Sequence, residues 1–279
     1  MFTPEMLALR RKPSGGAVYT RTDLDVTALT TDSIQDPGLA VGSPRGGAVT
    51  IDGSKFLWVV EGEDRARVWD LATANDMTDV SGVQDETTVN WQTALGSSAN
   101  QETPSGLMIL DDMKTFYLFS RTADNVTKFV YSTALDYDGT TPTYDSHIAV
   151  GGDGFTSSSA IWVPEDETGF YIAYNGTIGE YAMSTAGDLT TATLTRTQSI
   201  SGAWGIWFQP DLSVCWVHDR TTKRIEEYSL STPGNISTMS LSSSYTYTSN
   251  SSAMYGLTVT TDMQALVFDS TSDEIVVIS

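Results

Sequence analysis

The chain has 279 residues, 23 of them glycine, with only 18% charged and a formal net charge of −20. Abundant glycine, with Ser and Thr dominating the polar positions, is the composition of a turn-rich all-β protein long enough for a large core. The acidic balance excludes a nucleic-acid partner and the lack of any 18-residue apolar run excludes membrane insertion, while a single cysteine (Cys215) and two histidines (His147 and His218) exclude an intrachain disulfide and leave no cofactor or metal expected.

Residues 1–16 precede any repeated element. Thr3 can cap a short helix with Pro4 at its first position and Glu5 in its first turn. Met6, Leu7 and Leu9 would give that helix an apolar face, and Arg10, Arg11 and Lys12 suit its C-terminal end before Pro13. The basic cluster follows the apolar residues and no small-residue cleavage site closes them, so the segment does not read as a secretion signal. Three basic residues against Glu5 give this arm +2, which leaves −22 on the remainder of the chain. Met6, Leu7, Leu9, Arg10, Arg11 and Lys12 are therefore expected to dock onto a partner.

Residues 17–279 read as one domain of repeats. Five segments begin with a small residue, run apolar and reach an Asp six positions later: Gly46 to Asp52, Gly106 to Asp112, Ala160 to Asp166, Gly205 to Asp211 and Gly256 to Asp262. Each predicts a strand ending in a hairpin turn, with the Asp capping that turn through its own side chain. Second strands follow at Phe56–Trp58, Phe116–Leu118, Phe170–Ile172, Cys215–Val217 and Leu266–Phe268, and third strands around Trp69, Phe129, Tyr181, Tyr228 and Ile275. The starts at 46, 106, 160, 205 and 256 are 60, 54, 45 and 51 residues apart, the spacing of four-stranded propeller blades with insertions in the first two.

The last repeat stops after its third strand. Its missing fourth strand is predicted at the other end of the chain, because Asp23-Leu24-Asp25-Val26-Thr27-Ala28-Leu29 has the spacing of Asp188–Leu194 and Asn235–Leu241, which lead into the fourth strands of complete repeats. The expectation is a five-bladed β-propeller with blades at about 46–105, 106–159, 160–204, 205–255, and 256–279 completed by 23–45, a closure that removes exposed sheet edges.

Tyr228-Ser229-Leu230-Ser231-Thr232-Pro233, followed by Gly234-Asn235-Ile236-Ser237-Thr238, resembles propeller repeats of the YVTN/NHL-like kind, in a version common in proteins of marine bacteriophages. Ser184-Thr185-Ala186-Gly187-Asp188-Leu189-Thr190-Thr191 is a weaker copy. The resemblance covers residues 20–279 as a repeat style. It implies a virion location and a non-enzymatic structural protein: a tail-associated or adhesion module, or a capsid decoration. Its partners would be other virion proteins, copies of itself, or a host-surface glycan.

The alternative is a lectin or glycoside hydrolase on the same fold. A hydrolase needs paired acids around the channel, whereas Asp111 and Glu165 fall at turn ends. Trp162 and Trp207 occupy one position in consecutive innermost strands, which makes them candidates for channel-mouth binding or for inter-blade packing. His147 and His218 read as surface or turn residues without a nucleophile elbow nearby. Asp136 and Asp138 alternate as in a calcium loop but lack the later Glu, and read first as a plain turn, with Asp153 weaker still.

Overall fold

A computed structural model describes residues 31–35, 44–60, 65–77, 87–90, 104–121, 123–134, 142–156, 160–248, 253–260, 264–269 and 274–278. In chain order the strands are β1 (Thr31–Gln35), β2 (Pro44–Val49), β3 (Lys55–Val60), β4 (Arg65–Asp70), β5 (Thr87–Asn90), β6 (Pro104–Ile109), β7 (Thr115–Ser120), β8 (Asn125–Val130), β9 (Thr143–Ala149) and β10 (Ala160–Trp162). They continue with β11 (Gly169–Tyr174), β12 (Thr177–Met183), β13 (Ala192–Ser199), β14 (Ala203–Phe208), β15 (Val214–Asp219), β16 (Arg224–Leu230), β17 (Met239–Thr246), β18 (Met254–Val259), β19 (Ala265–Asp269) and β20 (Glu274–Ile278).

These strands form five four-stranded antiparallel sheets: β2 to β5, β6 to β9, β10 to β13, β14 to β17, and β18-β19-β20-β1. The molecule is a five-bladed propeller, and the fifth blade takes its outer strand from the beginning of the chain. Thr31 pairs with Ile278 and Gln35 with Ile275. The closing strand thus falls inside the expected 23–45 window. The Asp23–Leu29 lead-in and the arm of residues 1–16 lie outside the described residues.

The second strand of each blade explains why the ring holds. Successive side chains of a strand point to opposite faces, and here both faces are covered by a neighbouring blade. Leu57 and Val59 join Phe116 and Leu118 between blades one and two. Tyr117 and Phe119 point the other way, to Phe170 and Ile172 of blade three. Tyr171 and Ala173 meet Cys215 and Val217 of blade four. Trp216 meets Ala265 and Val267 of blade five. Leu266 and Phe268 close the circle on Phe56 and Trp58 of blade one. Each of the five blade boundaries therefore has its own apolar cluster, and each fully buried side chain adds about 1.5–3 kcal/mol.

The element carrying the phage-like resemblance joins one blade to the next. In blade three, Gly187 takes a left-handed φ of 76°, Asp188 accepts from Thr190 N at 3.0 Å, and Thr191 Oγ1 donates to the Asp188 carbonyl at 2.8 Å. Blade four repeats this with Gly234 at φ 74°, Asn235 accepting from Ser237 N at 3.1 Å, and Thr238 Oγ1 on the Asn235 carbonyl at 2.8 Å. Both turns dock backwards. Lys128 of blade two donates to the Gly187 carbonyl at 3.1 Å. Glu180 of blade three accepts from Ile236 N at 3.2 Å. Leu189 and Ile236, next to the caps, are fully buried.

Small residues at the strand starts let the blades meet at the axis. A Cβ on Gly46 would lie 2.8 Å from the Ser105 carbonyl oxygen, and one on Gly205 would lie 2.6 Å from that of Gly256. Gly256 would clash with the Arg45 carbonyl at 2.8 Å. A gap among Gly46, Gly47, Leu107, Ala160, Ile161, Gly256 and Leu257 measures about 10 Å³, about the space of one water.

Candidate functional site: an arginine–aromatic cluster at the axis

The innermost strands repeat a second device. In β2, β6 and β14 the register shifts beside the small residue, between Pro44 and Gly46, Pro104 and Gly106, and Ala203 and Gly205. The bulged residue precedes the small one: Arg45, Ser105 or Trp204. Tyr255 holds the same repeat position before Gly256. Bulges re-aim side chains, and the close approach of Gly46, Gly205 and Gly256 brings Arg45, Trp204 and Tyr255 from three blades together.

A fourth member comes from the turn after β15. Asp219 Oδ1 accepts from Thr221 N at 2.8 Å and Thr222 N at 3.1 Å, which shapes the turn. Arg220 N donates to the Gly202 carbonyl at 2.9 Å, tying the turn to the loop that enters β14. Gly202 is required there: its φ is 75°, and a Cβ would fall 1.9 Å from Asp219 Oδ1. So anchored, Arg220 places its guanidinium 4.2 Å from the Tyr255 ring centroid and 4.9 Å from that of Trp204.

Arg45 approaches the same tyrosine at 4.2 Å. The two guanidinium carbons are therefore at most 8.4 Å apart. Two like charges at that separation repel by at least about 2 kcal/mol at an effective dielectric of 20. Cation–π attraction of about 0.5–2 kcal/mol per contact offsets much of this. Trp204 stands edge-on between Tyr174 and Tyr255, with centroids 5.6 and 5.3 Å away. Arg45 is 9% exposed and Tyr255 9%, while Trp204, Tyr174 and Arg220 are half-buried.

The residues expected from sequence fall elsewhere. Trp162 is buried between blades three and four against Phe208 and Tyr171. Trp207 is half-buried, 5.7 Å from the Trp216 ring centroid. Asp52, Asp112, Asp166 and Asp211 cap their own turns, accepting from the backbone N of Ser54, Lys114, Thr168 and Ser213 at 3.0, 2.8, 3.2 and 2.9 Å. Asp262, Asp136 and Asp138 lie outside the described residues, as do Met6, Leu7, Leu9, Arg10, Arg11 and Lys12. Asp111 and Glu165 are joined through Asp111 N, 3.1 Å from Glu165 Oε2, in hairpin turns of adjacent blades. Asp153 accepts from Tyr181 Oη at 2.8 Å. Among the described residues no group of three His, Cys, Asp or Glu side chains could hold a metal.

His218 requires a correction. It is not a surface or turn residue: it lies within β15, is fully buried, and its Nε2 is 2.7 Å from Tyr247 Oη. Its strand partner is Gly205 of the innermost strand β14. His147 is exposed on the outer strand β9.

Sequence reasoning missed Arg45, Trp204, Arg220 and Tyr255. The available signal was positional: three of them stand immediately before the small residue that starts a repeat.

The five four-stranded sheets define the chain as a five-bladed β-propeller. No family model matches it, and no curated protein does. Solved structures match at the level of the fold. A functionally unknown protein from Desulfotomaculum acetoxidans is 14% identical with a TM-score of 0.48, covering 86% of this chain and 70% of that one. A candidate 6-phosphogluconolactonase from Bacteroides fragilis is 17% identical with a TM-score of 0.44, covering 71% and 52%. Hydrazine synthase from Kuenenia stuttgartiensis is 10% identical with a TM-score of 0.45, covering 86% and 96%. At these values none of the three carries a functional argument.

Proposed function

We propose that the chain is a non-enzymatic structural component of a bacteriophage virion, tail-associated, adhesive or decorating the capsid, that works by binding other proteins or a host surface. The observation that carries this reading is the clasp between blades. The Ser231–Thr238 element, which resembles repeats common in marine phage proteins, anchors to the preceding blade through Glu180 and through Tyr171 Oη on the Gly234 carbonyl at 2.7 Å. Blades tied together in this way suit presentation of a surface. The arm of residues 1–16, with charge +2 against −22, would supply the docking contact to a copy of this chain or another virion protein.

Mass spectrometry of purified particles from the source should find the chain at stoichiometric levels, and deleting residues 1–12 should abolish its incorporation while the isolated protein melts normally. Absence from particles would remove the virion reading. Normal incorporation of the deletion variant would remove the arm from it.

The lectin alternative is favoured by one observation, the arginine–aromatic cluster. The hydrolase alternative would be established by turnover on a glycoside panel that a single Asp or Glu substitution abolishes.

A further inference from the structure

We propose that two copies of this chain pair edge to edge through β17, the outer strand of blade four, in an antiparallel arrangement about a two-fold axis. The inference goes beyond the reading above, and needs neither the arm of residues 1–16 nor a virion.

The outer strands differ in how their edges are guarded. A strand that ends a sheet presents unpaired N–H and C=O groups, and charge or brevity normally keeps a second chain off them. β1 has five residues and carries Asp32. β5 has four and follows Asp85 and Glu86 in sequence. β9 carries Asp145 and His147, and β13 carries Arg196, which closes on Glu180. β17 has eight residues and no charge, and it ends its sheet with β16 as its neighbour. A bulge at Ser242 does not set it apart, because β9 and β13 bulge at the same place, at Asp145 and Thr195. Beyond the bulge lies a regular run, 243–246, open to a further strand.

Charge selects the occupant. Between Glu227 and Asp262 there is no Asp, Glu, Lys, Arg or His, the longest such run in the chain, so all of the −20 lies elsewhere. Two acidic bodies repel, and they approach at least cost where both present a neutral edge. A basic partner would be drawn to the acidic faces instead. The nearest charges, on β16, are engaged: Arg224 Nε donates to Thr246 Oγ1 at 3.3 Å, Glu226 accepts from Tyr228 Oη at 2.7 Å, and Glu227 accepts from Trp216 Nε1 at 3.3 Å.

An apolar contact lies on the same strand. Leu241 is 55% exposed, and among the described residues no other large apolar side chain is exposed. Antiparallel pairing brings each Leu241 beside the copy's blade. The same patch serves both copies, so the contact closes at two.

Sedimentation velocity of the full chain over a concentration series tests this. A monomer–dimer equilibrium should appear and strengthen as salt screens the acidic surfaces. S244K and L241K, both at exposed positions, should weaken the dimer roughly tenfold, since like charges facing across a strand pair repel. An added lysine lowers the net negative charge, so the weakening must arise at the edge itself. T197K, exposed on β13, should leave the equilibrium unchanged, as should deletion of residues 1–12. A monomer at every concentration and salt, native dimerisation by S244K and L241K, equal weakening by T197K, or growth past the dimer would overturn the proposal. Loss of the dimer with residues 1–12 would hand the interface to the arm. A monomeric chain whose S244K variant alone is lost from particles would assign the edge to a different protein and overturn self-pairing. Particle composition decides the virion reading separately.

Discussion

Tyr171 of blade three donates its hydroxyl to the carbonyl oxygen of Gly234 in blade four across 2.7 Å, 63 residues away in sequence. The bond is buried, and the tyrosine's pKa is pushed up chiefly by burial, with the Glu180 charge adding to it. It joins a second strand to the left-handed residue of the next blade's clasp, so one side chain couples inter-blade packing to a local turn.

Tyr171→Phe keeps the ring and leaves the Gly234 carbonyl without its donor. The expected loss is about 1–3 kcal/mol, since a buried acceptor left unsatisfied costs more than a typical bond contributes. Urea unfolding should show a lower midpoint at unchanged slope. A loss below a few tenths of a kcal/mol would mean that water replaces the hydroxyl there.

Gly205→Ala tests the axis. The added Cβ would lie 2.6 Å from both the Gly256 carbonyl oxygen and Leu257 Cβ, and neither can swing away as a flexible side chain would. Overpacking of this kind costs about 1–3 kcal/mol. Gly152→Ala is the control, because nothing lies within 4 Å of its added Cβ. Thermal unfolding should separate the two variants; equal melting would show that the blades spread at no cost.

His218 should make the fold acid-sensitive above the carboxylate range. Burial holds the imidazole neutral and pushes its pKa down to about 3 from an ordinary 6.5, the nearby Asp219 charge countering only part of this. The folded value is below the unfolded one, so the unfolded chain takes up the proton first. The contribution is complete above about pH 6.5 and is lost as pH falls towards 3, at up to about 1.4 kcal/mol per unit. Between pH 6.5 and 5 the stability of the native chain should decline, and His218→Gln should flatten that decline. Parallel curves would exonerate the histidine.

Ring closure predicts a large effect from a terminal truncation. Removing residues 1–45 deletes β1, whose Thr31 and Gln35 pair with Ile278 and Ile275, and exposes the β20 edge. Circular dichroism melting should show a marked drop, with concentration-dependent association of the opened protein. Unchanged melting would mean that the fifth blade stands without its outer strand.

The repeat was legible in the sequence because its cues are local. A small residue, an apolar run and an Asp six positions on specify a strand and its capped hairpin without reference to other blades, and Asp52, Asp112, Asp166 and Asp211 cap as expected. The fractional ends were legible for a related reason: a strand edge must be paired, so a blade lacking its fourth strand implies a donor elsewhere. The small starts at 46, 106, 160, 205 and 256 also revealed their spacing. Their role at the axis, where a Cβ on Gly46, Gly205 or Gly256 would strike the next blade's backbone, appears only when five strands converge. The same holds for His218 and for the cluster. Alternation within β15 does not tell that His218 meets the Tyr247 hydroxyl in a buried contact, and nothing near Arg45 in the sequence points to Arg220, 175 residues away. Local pattern determined the strands and turns, because those depend on neighbouring residues. The curvature of the closed ring decided which side chains from different blades meet, because that depends on how five sheets share one axis.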